Sequence, residues 1–203
     1  MASRRKRLPV TLSAEEQTLL LAQPNPRYPT GERNRLLVRM MLDTGVRLAE
    51  AAALRWPHVD LATGKLMVIA GKGAKDRSLW ISAELLARLQ AWRERQLNAC
   101  GHTPEHIFFT LDGRTLLHRY IQAMVQRYSQ RAGIAKRVSP HVLRHTFATD
   151  LYRQSHNIRL VQKALGHADL STTMIYTHVY DEEIAQAMQA LRASSDDTLH
   201  DGS

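Results

Sequence analysis

The chain of 203 residues is 44% hydrophobic and 23% charged, the composition of a globular protein with room for one well-buried domain or two small ones. No apolar run nears the ~18 residues of a membrane span, the Arg/Lys-rich start lacks the apolar segment of a signal peptide, and the single Cys100 offers neither an internal disulfide nor a cysteine metal site, which speaks against membrane and secreted classes and fits a reducing cytoplasm. Residues 181–203 carry six acids against the single Arg192, a net of −5, so the whole-chain +9 leaves +14 on residues 1–180; a positive body of that size calls for a polyanionic partner, nucleic acid first.

In chain order, Met1 to Leu8 form a short basic arm whose Arg4, Arg5, Lys6 and Arg7 suit phosphates. Ser13 followed by Glu16 is a capping box that opens a helix; Pro24 and Pro26 end it, and Pro29 to Gly31 read as the loop beyond. From Glu32 to Thr44, the set Leu36, Leu37, Met40, Met41 and Leu42 predicts a buried helix that turns at Gly45. Arg47 follows the turn, and Glu50 lies three residues further on a short helix, close enough to orient the guanidinium. Lys65 to Ala70 and Arg77 to Ile81 are β-rich runs joined by a basic hairpin tip, Gly71-Lys-Gly-Ala-Lys-Asp76.

Ser82 caps the next helix, whose apolar face is Leu85, Leu86, Leu89 and Trp92. Ile107 to Phe109 predicts a third short strand. Residues 115–132 form an amphipathic helix ending at Gly133, with Arg119, Arg127 and Arg131 on its polar side. Ser139 and Pro140 then start the helix that carries His141, Arg144 and His145 on one face, with Val142, Leu143, Phe147 and Leu151 free to turn to a core. Asn157 caps a short helix closed by Gly166; Asp169 can cap another bearing Tyr176, and a last helix is expected beyond Asp181. The elements add up to an α+β domain, mostly α-helical with a small antiparallel β-sheet. It spans residues 9–192, between the basic arm 1–8 and an acidic tail, 193–203, expected to be disordered.

Two imidazoles, a guanidinium and the positive end of a helix pointing one way suit a doubly contacted anion such as a phosphodiester. The stretch from Ser139 to Thr149, the cluster Leu165 to His178, Thr44-Gly-Val-Arg-Leu-Ala-Glu50 and Gly71 to Arg77 together resemble the tyrosine recombinase, or phage integrase, family and its Xer-type members. The four motifs stand in the family's order, with nine positions from His167 to Tyr176, and the resemblance runs from about Arg7 to about Leu191. It implies a catalytic domain that cleaves and rejoins double-stranded DNA through a 3′-phosphotyrosine, without metal, ATP or other cofactor.

By that resemblance Arg47 and Arg144 clamp the non-bridging oxygens, His141 and His167 complete the cradle, and Tyr176 is the nucleophile. Lys72 is the general acid, with Lys75 as the competing candidate; otherwise Lys75 and Arg77 hold DNA backbone. His141 is the acid/base partner for the tyrosine proton, and Glu50 supports Arg47 from behind. The family also implies assembly on DNA at the nucleoid, the C-terminal helix docking in trans on a neighbouring subunit. Near Arg7 to Pro9 the linker from an N-terminal DNA-gripping domain would arrive, so the chain is expected to be a stand-alone catalytic module or a fragment.

Each residue also has a plainer reading. His145 reads as bracing its helix by hydrogen bonding, and His178, Tyr152 and His156 as structural or surface residues. A zinc enzyme would use His141 and His145 at i, i+4 with His167, but the glutamate of H-E-x-x-H is missing and arginines crowd the site. A catalytically silent DNA-binding regulator would lack a clamp arginine or the nucleophile, and neither is lacking. Type IB topoisomerases share the chemistry and differ in strand exchange.

Overall fold

The computed structural model describes residues 9–69 and 76–166 together with Thr173 and Tyr176. Its helices are α1 (Ala14–Ala22), α2 (Pro29–Thr44), α3 (Leu48–Ala52), α4 (Ala83–Cys100), α5 (His118–Arg131), α6 (Pro140–Ser155) and α7 (Ile158–Leu165), with one 3₁₀ turn at Trp56–His58. Strands β1 (Lys65–Val68) and β2 (Arg77–Trp80) pair antiparallel, Lys65 opposite Trp80 and Val68 opposite Arg77. Helix α2 sits at the centre, packed by α1, α3, α4 and α6. Leu36, Leu37, Val38, Met40, Met41 and Leu42 are all buried, and a helix apolar on so many sides is stable only when surrounded.

Local chemistry accounts for the boundaries. Ser13 Oγ accepts from the Glu16 amide at 3.1 Å while Glu16 returns a carboxylate oxygen to the Ser13 amide at 2.8 Å, the reciprocal capping box. Ser82 Oγ and Ser139 Oγ accept from Leu85 and Val142 amides at the starts of α4 and α6. Asn157 Oδ1 accepts from the amides of Arg159 and Leu160 at the start of α7. The N-terminal segment is pinned to α6 by buried Thr146, whose Oγ1 accepts from the Leu12 amide at 3.0 Å and donates to the Val142 carbonyl. Helices α2 and α5 are joined by buried Arg33 and Asn34: Arg33 donates to Tyr120 Oη at 2.7 Å and to the Phe109 carbonyl at 2.7 Å, and Asn34 Nδ2 donates to Tyr128 Oη at 3.1 Å.

Three sequence expectations are corrected. Pro29 to Gly31 are not a loop but the first turn of α2, where proline's fixed φ and missing N–H suit N1. Gly31 belongs there because a Cβ would lie 1.9 Å from the Asn25 carbonyl oxygen. Ile107 to Phe109 form no strand: the Ile107 carbonyl is taken by Trp92 Nε1 at 2.9 Å and Gln96 Nε2 at 3.0 Å on α4, leaving isolated bridges from Arg55 to His106 and from Phe109 to Thr115. That last bridge delays α5 to His118. The expected basic arm, hairpin tip, acidic tail and the helices around Tyr176 and beyond Asp181 lie outside the described residues.

Gly45 closes α2 with φ 61°, its N–H donating to the Met41 carbonyl at 3.0 Å. A Cβ here would lie 2.2 Å from Phe147 Cδ1 on α6, so both backbone and packing require glycine. Gly45→Ala should destabilise the fold by at least about 2 kcal/mol, from left-handed strain plus overpacking, read as a lower urea midpoint at unchanged slope.

Candidate active site

The centre of the site is the C-terminal end of α7. The last carbonyls of a helix have no partner within it and carry the negative end of its dipole. Here three successive carbonyls each take an arginine: Arg77 Nε donates to Ala164 O at 2.8 Å, Arg144 Nη2 to Leu165 O at 2.7 Å, and Arg47 Nη2 to Gly166 O at 3.4 Å. Arg144 also donates through Nη1 to the Gly45 carbonyl, tying α6 to the turn after α2. Gly166 makes this end possible with φ 63°, and a Cβ on it would approach Arg77 Cδ at 3.0 Å.

Glu50 is the carboxylate in this cluster, and both of its oxygens are doubly used. Oε1 accepts from Arg47 Nη1 at 3.0 Å and Arg77 Nη1 at 2.9 Å; Oε2 accepts from the Arg47 amide at 2.6 Å and Arg77 Nη2 at 2.8 Å. Burial pushes the Glu50 carboxyl up, but the hydrogen bonds and charge of Arg77, with the amide and guanidinium of Arg47, outweigh it and hold the carboxyl at about 2. Arg144, 7% exposed, is brought down to about 10 by burial first and then by Arg47 and Arg77, against the pull of Glu50 and Tyr176. Three guanidiniums thus share one carboxylate, and the excess positive charge makes the cluster a receptor for an anion.

On the neighbouring face of α6, Tyr176 is 1% exposed and packs with Ala148, Tyr152, Val161 and Leu165. Its hydroxyl lies 2.7 Å from His145 Nδ1. Burial raises the phenol to about 12, with Arg144 pulling the other way. His145 is lowered by burial and by the charges of His141 and Arg144. A neutral imidazole at neutral pH can accept the phenol's hydrogen bond through Nδ1.

Of the residues singled out in the sequence, the structure brings Arg47, Glu50, Arg77 and Arg144 into one cluster and sets Tyr176 beside α6. His141 is exposed on the first turn of α6, and the contact with the tyrosine hydroxyl, expected of His141, is made by His145 instead. The two imidazoles share a face of α6, but His141 stands one turn nearer the helix start, where it is exposed, while His145 lies level with the tyrosine hydroxyl. Arg77, expected on DNA backbone, has a side chain 6% exposed and turned inward. The strand pattern holds the reason: Arg77 and Leu79 share the buried face of β2, so period-2 alternation counted back from Leu79 would have placed Arg77 inside. No sequence signal marks the Gly45, Ala164, Leu165 and Gly166 carbonyls as acceptors. Lys72, Lys75, His167, Arg4, Arg5, Lys6 and Arg7 lie outside the described residues. Among the described residues, no three His, Cys, Asp or Glu side chains gather to hold a metal, and no helix is long and apolar enough to cross a membrane.

The described residues, a helical body with a small two-stranded antiparallel sheet, have the fold of tyrosine recombinase catalytic domains. It superposes on the crystal structure of XerA recombinase with TM-score 0.78 at 33% identity, covering 92% of this chain and 66% of that one. Against XerH site-specific recombinase bound to palindromic difH substrate in a post-cleavage complex, the TM-score is 0.77 at 32% identity, covering 92% of this chain and 54% of that one. The chain belongs to the phage integrase family, whose profile it matches over residues 11–183. Among its relatives are the tyrosine recombinase XerC of Xanthomonas campestris pv. campestris, 36% identical over 185 residues, and XerD of Ralstonia nicotianae, 39% identical over 180 residues. These alignments cover 91% and 88% of this chain but 56% and 58% of the relatives, so it spans little more than half their length.

Glu50 supplies a pH test. Its folded-state value lies below the ordinary 4.5, so its stabilisation is complete above about pH 4.5 and is lost as pH falls through about 2. Glu50→Gln should lower stability at pH 7 by on the order of 3 kcal/mol. The gap should narrow steadily as pH falls below 4.5, followed by urea midpoints at a series of pH values.

Proposed function

We propose that the chain carries the catalytic function of a site-specific DNA recombinase that breaks and rejoins double-stranded DNA through a covalent 3′-phosphotyrosine. The observation that supports this best is the juxtaposition on α6 of Arg144, held in an under-compensated arginine cluster, with His145, whose Nδ1 holds the Tyr176 hydroxyl. An arginine fork can neutralise and orient a phosphodiester without losing its charge, and the buried phenol needs an acceptor for its proton. Arg47, about 40% exposed at its side chain, can reach the phosphate while Glu50 holds it from behind.

In the step, the Tyr176 oxygen attacks phosphorus and its proton passes toward His145. The bond from phosphorus to the 5′ oxygen breaks, and that oxygen takes a proton from Lys72. Arg47, Arg144, His141 and His167 carry the charge on the non-bridging oxygens. Because the phosphotyrosine conserves the phosphoester bond, the 5′-hydroxyl of a partner strand can displace the tyrosine, reversing the proton transfers and requiring no nucleotide. Excess charge on residues 1–180 draws the duplex electrostatically. The acidic segment after Asp181 is repelled by DNA and reaches a neighbouring subunit, so copies assemble on DNA.

A nicked duplex bearing the site that the wild-type chain selects from a randomised pool provides the test. Wild-type chain should accumulate a covalent protein–DNA adduct on denaturing gels, and Tyr176→Phe should lose it while gel-shift affinity stays nearly unchanged. An undiminished adduct would assign the nucleophile elsewhere. Adduct formation should also persist in EDTA without added nucleotide, because arginines supply the charge stabilisation; a requirement for a divalent cation in cleavage itself would contradict this mechanism.

A further inference from the structure

We propose that Arg77 is a positioning residue of the cleavage site, locking Glu50 and the end of α7 so that Arg47 is held at the angle its phosphate contact requires. The inference rests on the recombinase reading above and adds to it a residue that touches no DNA. Arg77 enters from β2 on the strand's buried face, opposite Val68 of β1. Its guanidinium grips both oxygens of Glu50 at 2.9 and 2.8 Å, the bidentate fork, and its Nε reaches the Ala164 carbonyl at 2.8 Å. Three donors are therefore engaged on two different elements, in a pair whose side chains are only 6% and 8% exposed.

The consequence for Arg47 follows from the shared carboxylate. Glu50 Oε1 accepts from Arg77 Nη1 and Arg47 Nη1, so whatever fixes the carboxylate plane fixes the direction of Arg47. The second anchor of Arg47 is the Gly166 carbonyl, two residues past the one Arg77 holds. Arg77 thus sets both points against which Arg47 leans. It also begins the strand that follows the stretch of sequence containing Lys72. A lysine cannot reproduce this: one ammonium has no planar fork to span two carboxylate oxygens and a carbonyl on another element.

Two variants separate positioning from phosphate contact. Arg77→Lys keeps the charge and loses the fork; Arg77→Gln loses both. Both should form the Tyr176 adduct roughly 10- to 100-fold more slowly, the range for a misplaced catalytic group. Both should bind a duplex of random sequence with wild-type affinity and salt dependence. A phosphate contact predicts instead that lysine restores the rate and that glutamine makes the salt slope shallower by about 0.9. Relative to wild type, the Gln variant's cleavage rate should also fall away toward acid pH, because Glu50 then faces Arg47 and Arg144 without Arg77 and protonates at higher pH; protonation of His145 acts on both proteins alike and cancels in the ratio. Rates are compared where circular dichroism finds each variant folded.

Should either single variant fail to fold, Arg77→Met/Glu50→Leu removes both buried charges together, a replacement that buried ion pairs often tolerate. It should be folded and cleave as slowly as Arg77→Lys. Wild-type rates in the Lys variant or in this pair, or a shallower salt slope in the Gln variant, would overturn the inference while leaving the recombinase reading intact. Failure of the wild-type chain to form any Tyr176 adduct would overturn both.

Discussion

Three guanidiniums and the last three carbonyls around the end of α7 solve one another's problem. A buried arginine without acceptors and a helix end without donors are each costly, by several kcal/mol and by about 1–3 kcal/mol per orphaned group. Brought together, they satisfy both needs and converge charge from α6, β2 and the turn after α2 onto one small volume. The elements that supply the arginines are distant in sequence, so this convergence also fixes how they sit relative to one another. Glu50 completes the arrangement by neutralising part of the charge and leaving the rest for a ligand.

The same cluster makes the site rigid before an anion arrives. Central α2 holds the Gly45 turn against Phe147, and the Gly45 carbonyl in turn holds Arg144. Preorganised donors of this kind do not have to reorient as charge develops on a phosphate, which is where electrostatic catalysis gains most. Rigidity has a price in stability: breaking one member of the buried Glu50–Arg77 pair strands its partner and costs about 3–5 kcal/mol.

Tyr176 and the arginines represent opposite uses of burial. Burial disfavours the charged form of both groups with opposite outcomes: Arg144, brought down to about 10, is still a cation at neutral pH, whereas the phenol, pushed up to about 12, is held neutral. A phenol held neutral in this way gives up its proton only to an acceptor at hand, and His145 Nδ1 lies 2.7 Å away. His145 is made a neutral acceptor by the same positive surroundings that prepare Arg144 for an anion.

Much of the framework was legible in the chain. Capping residues Ser13, Ser82, Ser139 and Asn157 announced helix starts, Gly45 and Gly166 announced ends, and the apolar spacing of Leu36 to Leu42 announced a buried helix, because these signals act through bonds and contacts a few residues apart. The family motifs named Arg47, Arg144 and Tyr176 for the same reason: each sits in a local pattern. What needed tertiary structure was every relation between distant segments. Ile107 to Phe109 lost its strand because α4 took the Ile107 carbonyl. Arg77 turned from DNA contact to internal fork because Glu50 and Ala164, 27 and 87 residues away, offered acceptors on the buried side of β2. His145 rather than His141 met the tyrosine because the two share a face of α6 one turn apart, and Tyr176 comes back beside the later turn. Local sequence determines which groups are available, while their partners are decided by where the chain returns, since hydrogen bonds and ion pairs depend on distance in space and carry no trace of separation along the chain.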